Sequence, residues 1–260
     1  MARFRLTLEY AGTRYSGWQK QKNARTVQGD LEHAIAETLE SDAFECQGSG
    51  RTDAGVHALM QVAHLEAHMP MPLVKFRRLV NDALPPDINL LSATKATHRF
   101  HARHAAVGRS YLYQVARRRT AFAKPYVWWV KEPLDAVLMA DAAQRFSGMH
   151  DFRSFSDDDP EDKSTAVLIE DVTVVEAGDL VLIRVAGSHF LWKMVRRMVG
   201  VLVEIGKGGL PVSQVDEFLR APSGTPATLT APASGLFLEH VFYEGDRRDL
   251  PLIPAVAVRG

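Results

Sequence analysis

The chain has 260 residues, 46% of them hydrophobic and 24% charged, which is the composition of a folded globular protein long enough for one large domain or two smaller ones. Its 31 Lys and Arg balance 31 Asp and Glu, and a single cysteine, Cys46, excludes an intramolecular disulfide and cysteine-built zinc sites. The opening Met1-Ala2-Arg3-Phe4-Arg5-Leu6 lacks the apolar stretch of a signal peptide, and no run of about 18 uncharged apolar residues occurs. The expectation is a cytoplasmic protein without a membrane span.

Alternation of Phe4, Leu6, Leu8 and Tyr10 predicts a first strand over 3–10. After a loop with Gly12 and Gly17, Thr26 is a helix N-cap, and Val27, Leu31, Ile35 and Leu39 set a helix over 27–40. A strand near 43–48, holding Cys46, runs into the Gly48-Ser49-Gly50 turn, and a further strand covers 57–66. Leu73 to Leu84 reads as a helix stopped by Pro85-Pro86, and Ile88 to Ala93 as a strand. The second half begins with a strand from Ser110 to Arg117 and a helix from Leu134 to Phe146. A hairpin joins Thr165–Glu176 to Leu180–Gly187, followed by a helix from Phe190 to Ile205 and a short one at 212–220. Residues 221–234 read as an extended connector, and a last strand covers 236–243.

Each half therefore has a β-α-β-β-α-β order, which predicts an α+β protein of two ferredoxin-like (RRM-like) domains, each an antiparallel sheet with helices packed on one face. The boundary falls near 100–108, giving an N-terminal domain over 1–104 and a C-terminal domain over 105–260. Asp157-Asp158-Asp159-Pro160-Glu161-Asp162 reads as a mobile, solvated surface loop.

Zero net charge hides a strong segregation. No acid occurs from Ile88 to Lys131, where nine Lys or Arg accompany His98, His101 and His104, whereas Asp151 to Asp179 holds ten acids against Arg153 and Lys163. Local basic charge of this kind suits a polyanion such as nucleic acid. The sharpest local motif is Gly50-Arg51-Thr52-Asp53-Ala54-Gly55-Val56-His57-Ala58, a carboxylate in a Gly-rich loop between strands. From the residues alone, Asp53 could present its carboxylate to a substrate or simply stabilise its own turn.

This motif resembles the catalytic motif of the TruA family of tRNA pseudouridine synthases, and other segments resemble that family in the same order along the chain. They are Tyr15-Ser16-Gly17-Trp18-Gln19, Thr26-Val27-Gln28-Gly29, Phe100-His101-Ala102-Arg103, Tyr111-Leu112-Tyr113, the run from Phe190 to Gly200, and Ala231-Pro232-Ala233-Ser234-Gly235-Leu236. The resemblance implies isomerisation of uridine to pseudouridine at positions 38, 39 and 40 of the tRNA anticodon stem-loop, in a cleft between the two domains of a homodimeric enzyme. Asp53 would be the nucleophile, Arg196 the cation that keeps it ionised, and Tyr111 the platform and general base for uracil. Arg51 would face the position vacated by the flipped base. Phe100, His101, Ala102, Arg103, His104 and Arg109 would grip the RNA. His57 is expected to be structural and Tyr113 to pack in the sheet.

An isomerisation needs no redox partner, so no cofactor and no metal are expected. Two alternatives stay open: a synthase for other RNA uridines, and a non-catalytic RNA-binding module. The chain departs from the family in the run Lys163-Ser164-Thr165-Ala166-Val167, where the family often has an Arg shortly after Lys-Ser-Thr, and at Trp192 and Arg197 in the helix.

Overall fold

The computed structural model describes residues 1–158 and 164–258. Within them the chain forms two compact units, one of Met1–Val107 with Phe237–Arg248, the other of Gly108–Leu236 with Asp249–Gly260.

The first unit runs β1 (Ala2–Tyr10), α1 (Val27–Leu39), β2 (Glu45–Gly48), β3 (His57–Ala67), α2 (Leu73–Ala83) and β4 (Ile88–Ala96). β1 lies antiparallel between β4 and β3, and β2 pairs antiparallel with the other edge of β3. Phe4, Leu6 and Leu8 of β1 and Leu65 of β3 are buried, as the period-2 pattern requires. Thr26 caps α1 by accepting the Gly29 amide at 3.3 Å, and Val27, Leu31, Ala34 and Ile35 turn inward. α2 packs against β4 and α1 through Phe76 and Val80, and ends before Pro85.

The second unit runs β5 (Ala106–Ala116), β6 (Trp128–Trp129), α3 (Ala136–Gln144), β7 (Gly148–Asp151), β8 (Ala166–Ala177), β9 (Leu180–Gly187), α4 (Met194–Gly206), α5 (Gln214–Arg220) and α6 (Thr225–Thr228). Its antiparallel sheet has the order β5-β9-β8-β7. Asp135 caps α3 by accepting the Val137 and Leu138 amides, so this helix starts after Pro133 and not at Leu134. The last strand, β10 (Leu236–Tyr243), joins the first unit, where Phe237 and Leu238 pair in parallel with His57 and Ala58 of β3.

Several elements differ from the sequence reading. Two short pairings are parallel, β10 on β3 and β6 on β5, whereas β1 with β3 and β4, β2 with β3, and β5, β7 and β8 with their neighbours in the order β5-β9-β8-β7 pair antiparallel. The connector 221–234 is not simply extended. It contains α6, whose Thr225 amide donates to Ser223 Oγ, and a 3₁₀ turn at Ala233–Gly235. α4 begins at Met194 because Lys193 takes a left-handed conformation (φ 63°), which breaks the helical path from Phe190.

Candidate active site

In the first unit, the backbone ahead of Asp53 is fixed point by point. Ser49 donates its amide to Val62 O at 2.7 Å, Gly50 O accepts from Gln61 Nε2 at 3.1 Å, and Thr52 O accepts from the Trp18 amide at 3.1 Å. Thr52 is buried and its hydroxyl bonds the Tyr10 hydroxyl at 2.8 Å. Beyond Asp53 the chain turns: Val56 N donates to Asp53 O, and Gly55, in the third position of the turn, has φ 78°. That sign of φ is the one a type II turn demands and a glycine supplies without strain. The turn is then anchored by Gly55 N to Tyr15 O and, through the next residue, by His57 Nδ1 accepting the Gly12 amide at 3.0 Å. His57 is buried and stacked on Phe237 at 4.7 Å. Asp53 itself is half-buried, next to the buried Thr52, and Arg51 is exposed with Nε 3.2 Å from Gln19 Oε1.

In the second unit, β5 places Tyr111 and Tyr113 on one face. Tyr113 is fully buried, donates to Pro232 O at 2.7 Å, and lies against Gly235. Burial pushes its phenol well above the ordinary range, with Arg196 opposing. Tyr111 is half-buried and meets Phe190 edge-on at 5.0 Å, so it keeps an aromatic surface beyond the core. Arg196, in the first turn of α4, donates from Nε to Ala231 O at 2.7 Å, while its own carbonyl accepts the Ala231 amide at 3.0 Å.

The sequence suggests a buried, paired Arg196. Arg196 is half-buried, and its neighbour Arg197 is the more deeply buried of the two, 5% exposed and bonded to Asp157. Asp157 also takes Lys193 Nζ at 2.7 Å, and Asp158 accepts the Trp192 amide at 3.0 Å. The Lys193 ammonium, helped by Arg197, holds the Asp157 carboxyl below the usual carboxylate range. The start of the acidic run is therefore tied to the helix that carries Arg196 and to the residues just before it. Asp159 to Asp162, and Lys163, lie outside the described residues. Of the Lys-Ser-Thr segment, Thr165 is buried and donates to Asp151 at 2.6 Å.

The first unit offers a carboxylate on ordered backbone; the second offers, by itself, an aromatic face and a guanidinium. The family model for tRNA pseudouridine synthase matches residues 7–104 and 142–244. The chain belongs to the tRNA pseudouridine synthase family. It is 40% identical over 248 residues to tRNA pseudouridine synthase A of Maridesulfovibrio salexigens, covering 94% of this chain and 91% of that one. The corresponding enzyme of Maricaulis maris is also 40% identical, over 94% of this chain and 99% of its own. tRNA pseudouridine synthase A 2 of Clostridium tetani is 37% identical over 92% and 98%. A solved Cbf5-Nop10-Gar1 complex overlaps with a TM-score of 0.35 at 14% identity, over 77% of this chain and 45% of that one, and carries no argument.

For a tRNA pseudouridine synthase, the segment after β4 is built with unusual care. Arg3 donates to the carbonyls of His98 and Phe100 and pairs with Glu66. Phe100 lies 5.2 Å from the Tyr243 ring, over which Arg5 is stacked at 4.5 Å. Ala102 is fully buried: its amide donates to His64 Nδ1 at 3.2 Å and its carbonyl accepts the Tyr243 hydroxyl at 2.7 Å. His101 accepts the amides of Arg103 and His104 on Nδ1, and its ring sits between His64 at 4.5 Å and His104 at 4.3 Å. Arg103 and His104 are exposed, and Arg109 is half-buried, bonded to Ser188 O at 3.0 Å.

Sequence reasoning missed His64, Gln61, Tyr10 and Asp157. Three of them are buried polar side chains at strand positions that local patterning marks only as core or edge. The fourth lies in a run that composition marks as solvent-facing.

Proposed function

We propose that this synthase converts uridine to pseudouridine at positions 38, 39 and 40 of the tRNA anticodon stem-loop, with Asp53 as its nucleophile. The observation that carries the reading is the immobilised turn from Gly50 to Val56. It holds one half-buried carboxylate on backbone fixed from both sides. Catalysis by covalent attack needs this kind of positioning, because the reacting atoms must be held in a near-attack geometry.

In the reaction the bond from C1′ to N1 of uracil breaks, the base turns, a bond from C1′ to C5 forms, the proton on C5 leaves and N1 takes up a proton. The target nucleotide is first flipped out of the stem, at a cost of a few kcal/mol. Arg51 occupies the vacated position. Tyr111 stacks on the base and takes the C5 proton. Arg196 supplies the guanidinium that serves as counter-charge to the Asp53 carboxylate once the base covers it. Phe100, His101, Arg103, His104 and Arg109 form the RNA grip, with Ala102 as its buried backbone anchor. The two units act as domains, one bringing the Asp53 loop and the other the Tyr111 strand and the Arg196 helix. The enzyme works as a homodimer in the cytoplasm and uses no cofactor or metal.

The test uses tRNA carrying tritium at C5 of its uridines. Wild type is expected to release tritium to water, and Asp53→Asn to release none while still binding tRNA. Release by Asp53→Asn at the wild-type rate would remove the nucleophile assignment.

A further inference from the structure

A buried amide side chain lies directly under the Asp53 loop. Gln61, in β3, is fully buried, and each of its four hydrogen-bonding directions is used. Oε1 accepts the Ser49 hydroxyl at 2.8 Å and the Val62 amide at 3.2 Å. Nε2 donates to Gly50 O at 3.1 Å and to the Tyr10 hydroxyl at 3.4 Å. Tyr10 in turn bonds Thr52 Oγ1 at 2.8 Å.

The arrangement solves a definite problem. The β2–β3 ladder closes with the Ser49 amide on Val62 O, and from Gly50 onward the chain leaves the sheet edge. Gly50, which is half-buried, then has no ladder partner for its carbonyl, and a carbonyl partly shielded from water is better paired than left alone. Gln61 replaces the missing strand by extending the ladder through its side chain. Tyr10 carries the chain of bonds one step further, from β1 to Thr52, the residue before Asp53. Because all four bonds of the amide are satisfied, it has one orientation only, and so do Gly50 and Thr52.

We propose that Gln61, acting through Tyr10 and Thr52, is a positioning residue for the Asp53 carboxylate. It touches neither substrate nor the reacting atoms. Its effect is to confine the Asp53 backbone to the geometry in which attack occurs, and the inference rests on the assignment of Asp53 as nucleophile.

The consequence is a split between rate and binding. In Gln61→Met, an apolar chain of similar length, the four bonds are lost. Single-turnover rate at saturating tRNA is expected to fall by about 10- to 100-fold, the range a misplacement of about 1 Å produces, while tRNA affinity stays within about twofold. Gln61→Glu should retain more activity than Gln61→Met. A buried carboxyl is held neutral, and the neutral acid still donates one hydrogen bond to Gly50 O. Tyr10→Phe deletes only the hydroxyl and should fall between wild type and Gln61→Met.

A structural role alone would lower the melting temperature and leave the rate of folded enzyme, and the ranking of the variants, unchanged. The experiment measures single-turnover rate, tRNA affinity and melting temperature for these variants beside Asp53→Asn. Wild-type rates in folded Gln61→Met and Tyr10→Phe, with Asp53→Asn inactive, would overturn the positioning role alone. Turnover by Asp53→Asn would instead overturn the nucleophile assignment on which it stands. If Gln61→Met does not fold, Tyr10→Phe carries the same test.

Discussion

At the scale of single residues, His64 shows how placement sets chemistry. Burial, then the neighbouring His101 and Arg3, push its pKa down from the ordinary 6.5 to about 4. Its Nδ1 lone pair accepts the Ala102 amide, so protonation there breaks a bond as well as adding a buried charge. The unfolded chain takes up a proton below about pH 6.5 and the folded chain does not until about pH 4. Stability contributed by neutral His64 is thus complete above pH 6.5 and is lost as pH falls through that window. Urea midpoints measured from pH 7 to pH 4 should decline, and His64→Asn should flatten the decline.

Gly200 makes a second residue-scale case. A Cβ there would overlap the carbonyl of Leu229, which no side-chain rotation can relieve. Gly200→Ala should cost about 1–3 kcal/mol in denaturant unfolding. Because the segment it would push away also holds Arg196 through Ala231, turnover should fall with it.

At the scale of elements, the start of α4, set by the left-handed Lys193, has no capping side chain and is held by ionic contacts to Asp157. Arg197 is nearly all buried and Asp157 is about a third exposed, so the pair is only partly screened. Asp157→Asn leaves the guanidinium without its counter-charge and should cost about 1–3 kcal/mol, less than a fully buried pair would. Replacing Arg197 by Met in the same chain should recover most of that loss, which a double-mutant cycle would measure.

Elements were legible in the sequence where local signals dominate. Thr26 and the spacing of Val27, Leu31 and Ile35 set α1, and the alternation in β1 set its buried face. The start of α4 was not legible, because the apolar run continues back to Phe190 and only the left-handed Lys193 interrupts it. β7 is four residues long and owes its existence to pairing with β8, so it carries no signal of its own. For the site, the motif around Asp53 and the two arginines of α4 stand out in the sequence. Which arginine is buried depends on Asp157, forty residues away, and no local pattern encodes that.

At the scale of the whole molecule, the absence of acids from Ile88 to Lys131 gives a chain with no net charge a strongly basic segment. If Arg103 meets a phosphate, Arg103→Ala should weaken tRNA binding and reduce the slope of log affinity against log salt by about 1. Unchanged slope and affinity in a salt titration would remove it from the RNA grip. Among the described residues, no helix is long and apolar enough to cross a membrane.

The return of β10 to the first unit has a consequence for how the protein is made. Phe237 stacks on His57 and pairs with it across β3, and Tyr243 secures Ala102, so the unit that carries Asp53 depends on residues near the end of the chain. During synthesis the first hundred residues leave the ribosome with the edge of β3 next to the Asp53 turn still unpaired. That unit cannot close until about 240 residues have emerged. A nascent chain halted before Phe237 should therefore be open to proteolysis at residues that are protected in the finished enzyme.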